Sequence, residues 1–537
     1  LQNVLRQFVL TGEDGSLPVE VLKLPGSAFA ASEPSRSVTL RRLWLDTFDW
    51  RLYRSGLTLE QVSRGGGADL VLTGRDGQVI AADHPVPRAA GGRKDGARRS
   101  RPAWPGLLDT LPLGPLRDHL GPVVGVRALL PVARAVSVVR DTRVLNSDDK
   151  TIARITVDRM SVTYPAAGSV PPRLAVSALR GYQAQALRVI ELLAAEPGVT
   201  EAGQSGLEAV LAATGRRPGD YTGKVDVRLA PRMPAAVAMT SVLTALFDTL
   251  MANVSGTVRD IDTEFLHDLR VAVRRTRSAL KLTGDVLPGD MAARFRPEFK
   301  WLGDLTTPTR DLDVYLLGYA DMAAGLVAAT AEELQPFHDH LERSRAAAHK
   351  ELARGLRSAR FSRLGREWPH ALAGAGDGGR PRPAGRNTVE RLAASRIGRA
   401  HRRVIHDGSA IKATSPPESL HELRKRCKEL RYLLEFFGSL YDPGQHWQAV
   451  RELKALQDCL GEFQDTQVQH EEIRVFAAQM MDQRAAPAAT LLAMGEIAAG
   501  LAARQQRARS EFASQFRDFA SPDGQNRIRA LTGAAAA

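Results

Sequence analysis

Two stretches of the chain place a histidine ahead of cations at helical spacing. His267 begins HDLRVAVRRTRSALKLTG and His421 begins HELRKRCKELRYLLEFFG. On an α-helix, positions i, i+3, i+7, i+10 and i+14 lie along one face. His267, Arg270, Arg274, Arg277 and Lys281 occupy such positions, as do His421, Arg424, Lys428 and Arg431. Leu266, Leu269, Val273 and Leu280 run beside the first stripe, and Leu420, Leu423, Leu430 and Leu434 beside the second. Each cationic face therefore borders a packing seam instead of lying opposite it. Like charges three and four residues apart repel, and few acids fall within either stripe, so the arrangement costs stability until an anion is bound.

Arginine offers forked donors matched to phosphate oxygens, and lysine a mobile point charge. An extended polymer of phosphates lets many such contacts add. A histidine beside phosphates should rise above its usual pKa of ~6.5, so binding is expected to strengthen as pH falls from 8 to 6. Nucleic-acid binders combine basic grooves with base readers or stacking aromatics. These stripes have one aromatic nearby, Tyr432. A polymer made of phosphate alone fits them better.

The two stretches are copies. At an offset of 421 − 267 = 154, His267 meets His421, Leu269 meets Leu423, Arg270 meets Arg424 and Arg274 meets Lys428. Arg277 likewise meets Arg431, Leu280 meets Leu434 and Gly284 meets Gly438. The register continues through Lys300 and Lys454, Asp304 and Asp458, Asp311 and Asp465, and Val314 and Val468. A solvated basic face would account for either helix alone, but has no need to keep its cations twice at one spacing. Each copy has room for about four helices, hence a four-helix bundle. Asp304, Asp311, Asp313, Asp458 and Asp465 lie where helices are expected to bend or end. They read as caps and arginine partners, not as metal ligands.

Composition frames this reading. The 537 residues carry a formal net charge of +13, which attracts anions without choosing among nucleic acid, acidic lipid and phosphate polymer. Cys427 and Cys459 fall in helical patterns, away from any CxxC or Cys/His cluster, so neither a disulfide framework nor a zinc site is expected. No run approaches ~18 consecutive apolar residues, and LQNVLRQFVL lacks the order of a secretion signal. A cytoplasmic protein without a membrane partner is expected.

Residues 1 to about 165 read as strands: Ser37 to Leu45, Gly56 to Val62, Val136 to Val144 and Ile152 to Val157, with a basic Gly-rich loop at Gly91 to Arg101. A helical pattern begins at Ala175, and Gly198 to Lys224 reads as linker. After Pro234 the chain is helical, broken at Ala371 to Arg386 by a segment too rich in Gly and Pro for helix. The expected division is a first domain over 1–200, a linker over 201–229, bundles over 230–370 and 387–522 around a Gly/Pro linker, and a tail over 523–537. The fold class is α+β, a mainly antiparallel β domain followed by an all-α one.

The paired motifs HDLRVAVRRTR and HELRKRCKELR, with LTTPTRDLDV and LGEFQDTQV downstream, resemble the CHAD family, the conserved histidine α-helical domain, over about residues 230 to 520. The resemblance implies two four-helix bundles related by a pseudo-twofold axis, with a basic groove or pore that binds inorganic polyphosphate. It also implies association with polyphosphate granules. Carried over by motif, the binding candidates are the stripe residues together with Lys300 and Lys454.

The N-terminal region is similar to a degenerate CYTH domain, the triphosphate-tunnel fold. LWLDTFDWRLYRSGLTLEQ, from Leu43 to Gln61, matches that family's strand–turn–strand with its Asp-Thr turn, and Arg140 and a strand ending at Asp158 fit the pattern. The family's chemistry is largely missing. Its opening Glu-x-Glu-x-Lys aligns with Asn3, Leu5 and Gln7. Glu60 and Gln61 stand where an Arg-rich strand is expected, and the late Glu-x-Glu strand is represented by Leu174 to Leu179 without acids. Metal-dependent attack on a triphosphate needs carboxylates for the ion and cations for the phosphates. The expectation is a binder without catalysis, requiring no cofactor. The alternatives are a CYTH-type hydrolase and a basic nucleic-acid binder. Arg36, Arg41, Arg42 and Arg54 read as a solvated strand face.

Overall fold

The computed structural model describes residues 4–11, 29–65, 67–83, 104–223, 226–376 and 383–533. The basic loop Gly91 to Arg101, Asn3 and part of the Gly/Pro break lie outside the described residues. The chain divides into two compact units, Leu1–Thr222 and Gly223–Ala537.

The strands of the first unit are β1 (Val4–Leu10), β2 (Ala30–Ala31), β3 (Val38–Asp46), β4 (Leu57–Arg64), β5 (Gly67–Gly74), β6 (Val79–Asp83), β7 (Leu130–Leu145), β8 (Thr151–Tyr164), β9 (Gly168–Ser169), β10 (Arg173–Ala178) and β11 (Val199–Glu201). They form one antiparallel sheet in the order β11-β1-β10-β8-β7-β3-β4-β5-β6, with β2 on β7 and β9 on β8. This antiparallel domain is compatible with a CYTH-like tunnel. The first four helices, α1 (Arg51–Arg54), α2 (Pro115–Val124), α3 (Gln183–Ala194) and α4 (Gly206–Ala212), cover it. Leu116, Leu120 and Val124 of α2, Val189 and Leu193 of α3, and Leu207, Val210 and Leu211 of α4 each complete a core cluster against strand residues.

Several boundaries differ from expectation, each because packing overrides local composition. Residues 201–229 are no plain linker: Ser205 and Glu208 form a capping box that starts α4. The helical pattern from Ala175 resolves into the strand β10 and then α3, separated by Gly181 at φ +88°. β8 runs six residues past Asp158 to Tyr164. The Asp-Thr turn leads into the short helix α1, and the Asp46 carboxylate accepts from the backbone N–H groups of Thr47, Leu52 and Tyr53.

The second unit is helical. Its first repeat contains α5 (Ala235–Val258), α6 (Thr263–Thr283), α7 (Met291–Leu317), α8 (Tyr319–Ala324), α9 (Ala331–Leu356) and α10 (Ala359–Gly376). Its second contains α11 (Val389–Ser409), α12 (Pro417–Phe437), α13 (Pro443–Asp482), α14 (Ala488–Phe519) and α15 (Pro522–Gly533). The offset of 154 maps both ends of α6 onto both ends of α12 and the start of α5 onto the start of α11. Each repeat thus supplies its four bundle helices and a further closing one, α10 or α15, with the short α8 added in the first. α10 carries helix to Gly376, burying Leu372 and Ala375 inside the supposed Gly/Pro break, and α15 turns most of the supposed tail into core through Ile528 and Leu531. One hydrophobic core runs through both repeats, from Leu243 and Leu269 to Leu423 and Phe463. A smaller one joins Leu312, Phe337, Ile473 and Met494, where the α7–α9 and α13–α14 pairs meet. By length and composition α5 could cross a membrane, but just over half of its most apolar stretch is buried, and its leucines lie in the shared core.

Candidate polyanion-binding site

The cation stripes sit where the sequence pattern puts them because each follows a core residue by one position. Leu266, Leu269, Val273, Thr276 and Leu280 are buried on α6, so His267, Arg270, Arg274, Arg277 and Lys281 stand one step, about 100°, round the helix. The step brings them against α7. His267 and Arg270 are half-buried, while Arg274 and Arg277 are exposed. The same offset on α12, after Leu420, Leu423, Cys427 and Leu430, sets His421, Arg424, Lys428 and Arg431 against α13. Cys427 is buried and free, its thiol pushed up to about 12 by burial, so it acts as a core side chain.

The neighbouring helices carry a matched set of partners. Arg270 donates to the hydroxyl of Thr307 at 2.6 Å and lies 3.7 Å from the Asp311 carboxylate. At the equivalent place Arg424 donates to Asp465 at 2.8 Å. Arg277 lies over Gly303, where a Cβ would come within 2.5 Å of its Nη1, so a larger residue there would shift the end of the arginine side chain. Arg431 instead donates to Gln457 at 3.2 Å and to Glu435 at 2.8 Å. His421 Nδ1 donates to Gln464 Oε1 at 2.7 Å. Lys300, Gly303, Thr307 and Arg310 share one face of α7, as Lys454, Gln457, Gly461 and Gln464 share one face of α13. Lys300 is exposed, 3.5 Å from Asp304, and Lys454 is exposed.

The acids are not caps. Asp304, Asp311 and Asp313 lie inside α7, which continues through Pro308, and Asp458 and Asp465 lie inside α13. Thr306 and Thr307 both donate their hydroxyls to the carbonyl of Gly303 just before that proline, giving the disturbed turn local partners. Asp313 is fully buried and is held by Arg345, which also binds Asp260. The pairing with arginines that the sequence suggested is therefore present, and it relieves part of the repulsion within the stripes.

Lys281 stands apart from the other stripe members. Its Nζ meets Glu429 of α12 at 2.7 Å, while Arg275 of α6 meets Glu435 of α12 at 2.8 Å. Residue 275 is the repeat counterpart of 429, and 281 that of 435, so the two bridges are images of each other with their charges exchanged. They also fix α6 and α12 as antiparallel, crossing near Ser278 and Tyr432. From that crossing each stripe extends 11 residues, roughly 16 Å, to its histidine.

The two arms form one electrostatic unit. Burial, then the charges of Arg424 and Arg274, with Asp465 opposing and Arg431 adding, lower the Lys428 ammonium to about 8. Arg274 comes from the first repeat and Lys428 is its own counterpart in the second. His267 is lowered by burial and then by Arg310, with Arg274 adding and Glu264 and Asp268 opposing. Arg270 is lowered by burial, against Asp311. Burial is the largest cause in all three, with neighbouring cations adding to it, so a bound anion would favour the charged form of each. Arg310 was missed in the sequence because LTTPTR looked like a helix end, although it meets Gln464 at the repeat offset.

The first unit has charged groups of its own. Arg42 is not solvated: its guanidinium bridges Glu60, at 2.9 Å from Oε2, and Asp158, at 2.7 Å. Burial opposes its charge, but the two carboxylates outweigh that and push its pKa up. Arg173, 7% exposed, donates to Gln7 and to the backbone oxygen of Gln204. Arg36, Arg41, Arg54 and Arg140 are exposed.

A tandem-repeat helical domain with a composite row of cations is the class that this geometry defines. Residues 241–474 match the family model of the CHAD domain, and the chain carries a CHAD domain over that span. Among solved structures the chain is similar to the CHAD domain from the plant Ricinus communis, at 22% identity and a TM-score of 0.43, covering 58% of this chain and 96% of that one. It is also similar to PptA from Streptomyces chartreusis, at 19% identity and a TM-score of 0.42, covering 53% and 100%. HpAC1 from Hippeastrum, described as an adenylyl cyclase with a dominant triphosphatase activity, matches at 12% identity and a TM-score of 0.24, covering 40% and 98%. No curated protein matches the chain.

Proposed function

We propose that the second unit binds inorganic polyphosphate along the row His267, Arg270, Arg274, Arg277, Arg431, Lys428, Arg424 and His421, flanked by Lys300 and Lys454. The observation that carries this reading is the pair of cation stripes on α6 and α12 at one repeat offset, with the positive field of Arg274 reaching its counterpart Lys428 across the repeats. A row of five guanidinium groups and one ammonium between two histidines, with no interleaved tyrosine, tryptophan or phenylalanine, suits a ligand that is phosphate throughout. Lys281 acts in this account as a tie between repeats instead of a ligand contact. Association with polyphosphate granules, in the cytoplasm and without a membrane, would follow from the same affinity. Nucleic acid is the competing polyanion, and competition of polyphosphate against duplex DNA across a salt series separates the two.

The proposed role of the first unit is non-catalytic, and no cofactor is assigned to it. Glu60 and Asp158 are its candidate carboxylates, and both are engaged by Arg42. Purified protein is expected to release no phosphate from triphosphate or ATP with Mg²⁺ or Mn²⁺. Metal-dependent release that Glu60→Gln abolishes would overturn this.

A further inference from the structure

The two arms of the cation row are built on one plan and differ at one informative position. On α13, Gln464 accepts from His421 Nδ1, so these side chains satisfy each other. On α7 the same repeat position holds Arg310, beside the equivalent His267. No hydrogen bond joins Arg310 to His267 among the described residues, and the guanidinium disfavours the protonated ring beside it. Arg310 Nη1 is buried and has no hydrogen-bond partner among the described residues. Its field reaches Asp311 and Asp313, but Asp311 lies 3.7 Å from Arg270 and Asp313 is hydrogen-bonded to Arg345. The other groups around His267 are Glu264, Asp268 and Arg274. A buried donor without an acceptor is rare in folded proteins and calls for a ligand or water.

We propose that Arg310 is an additional polyanion-contacting residue, and that it makes the row asymmetric, with the His267 arm binding a phosphate oxygen that the His421 arm cannot. This rests on the polyphosphate reading above. The ligand class is a phosphate oxygen anion; Gln464, being neutral, has no charge to offer at the matching place. The row thus has a stronger and a weaker end, which fixes where along it a short polyphosphate sits.

The test is a reciprocal exchange in the full-length chain. Long-chain sodium polyphosphate is titrated into wild type, Arg310→Gln, Arg310→Lys and Gln464→Arg across a salt series. Arg310→Gln is expected to weaken binding about fivefold and to lower the salt slope by about 1, since one phosphate contact is lost. Arg310→Lys should keep the slope, and Gln464→Arg should raise affinity and slope. NMR titration should show the His267 ring moving up in pKa in Arg310→Gln, placing the guanidinium beside it. Unchanged affinity and slope in Arg310→Gln, or no gain from Gln464→Arg, would overturn the inference. If Arg274→Ala and Lys428→Ala lose binding while Arg310→Gln does not, the polyphosphate reading stands and this inference alone fails. If wild type does not bind polyphosphate, both fall.

Discussion

Arg424 donates to Asp465 at 2.8 Å, and its repeat counterpart Arg270 lies 3.7 Å from Asp311, so each arm of the row holds its central arginine against a carboxylate of the neighbouring helix. The aspartates are 62% and 44% exposed, and exposed pairs contribute at most about 1 kcal/mol. They are weak enough for phosphate to displace. Replacing both by asparagine is expected to strengthen polyphosphate binding by about three- to tenfold, because the anion no longer competes with a resident carboxylate. Isothermal titration of Asp311→Asn/Asp465→Asn against wild type measures this. Weaker binding would mean that the aspartates orient the arginines more than they compete.

The pH dependence follows from Lys428 and His267. Lys428 is lowered to about 8 by burial and by Arg424, Arg274 and Arg431, and phosphate in the row must raise it. Binding then takes up a proton above pH 8, so affinity falls as pH rises through that value. His267, lowered below its ordinary 6.5, takes up its proton on binding only in more acidic solution. The strengthening first expected of the histidines between pH 8 and 6 is thus reassigned at its upper end to the lysine. Lys428→Arg should flatten the limb above pH 7.5, and His267→Ala the limb below pH 6.5. A profile unchanged in Lys428→Arg contradicts this assignment.

The exchanged bridges Arg275–Glu435 and Lys281–Glu429 bear on how a duplicated domain avoids pairing with the wrong copy. If two first repeats met through α6, Arg275 would oppose Lys281; two second repeats would set Glu429 against Glu435. Only a first repeat with a second gives attraction at both positions, as in paired coiled-coil charges. Arg275→Glu/Lys281→Glu is expected to lower the melting temperature by roughly 5 °C or more. Adding Glu429→Lys/Glu435→Arg should restore most of that loss. Failure of the quadruple exchange to recover stability would show that the bridges do not set the pairing.

How far the sequence reveals the fold varies along the chain. α6 and α12 were legible because a buried row and a cationic row run side by side at helical spacing, and their ends map onto each other at the repeat offset. α4, the end of α10 and α15 were hidden by Gly- and Pro-rich composition, which packing of Leu207, Leu372 and Leu531 overrides. Asp311 and Asp465 were seen as arginine partners but misplaced at helix ends, since nothing local says that α7 continues through Pro308. Arg310 and the cross-repeat roles of Arg275 and Lys281 depend on contacts between helices, which periodicity does not carry.

Titration of full-length protein with polyphosphate, duplex DNA and ATP across a salt series tests the central claim most directly. Wild type should bind long-chain polyphosphate far more tightly than either competitor, with affinity falling steeply as salt rises. Arg270→Ala/Arg274→Ala/Arg424→Ala/Lys428→Ala, still folded by its melting curve, should lose at least about a hundredfold in affinity and most of the salt slope. Equal affinity for duplex DNA, or polyphosphate binding that survives the four substitutions, would contradict the account.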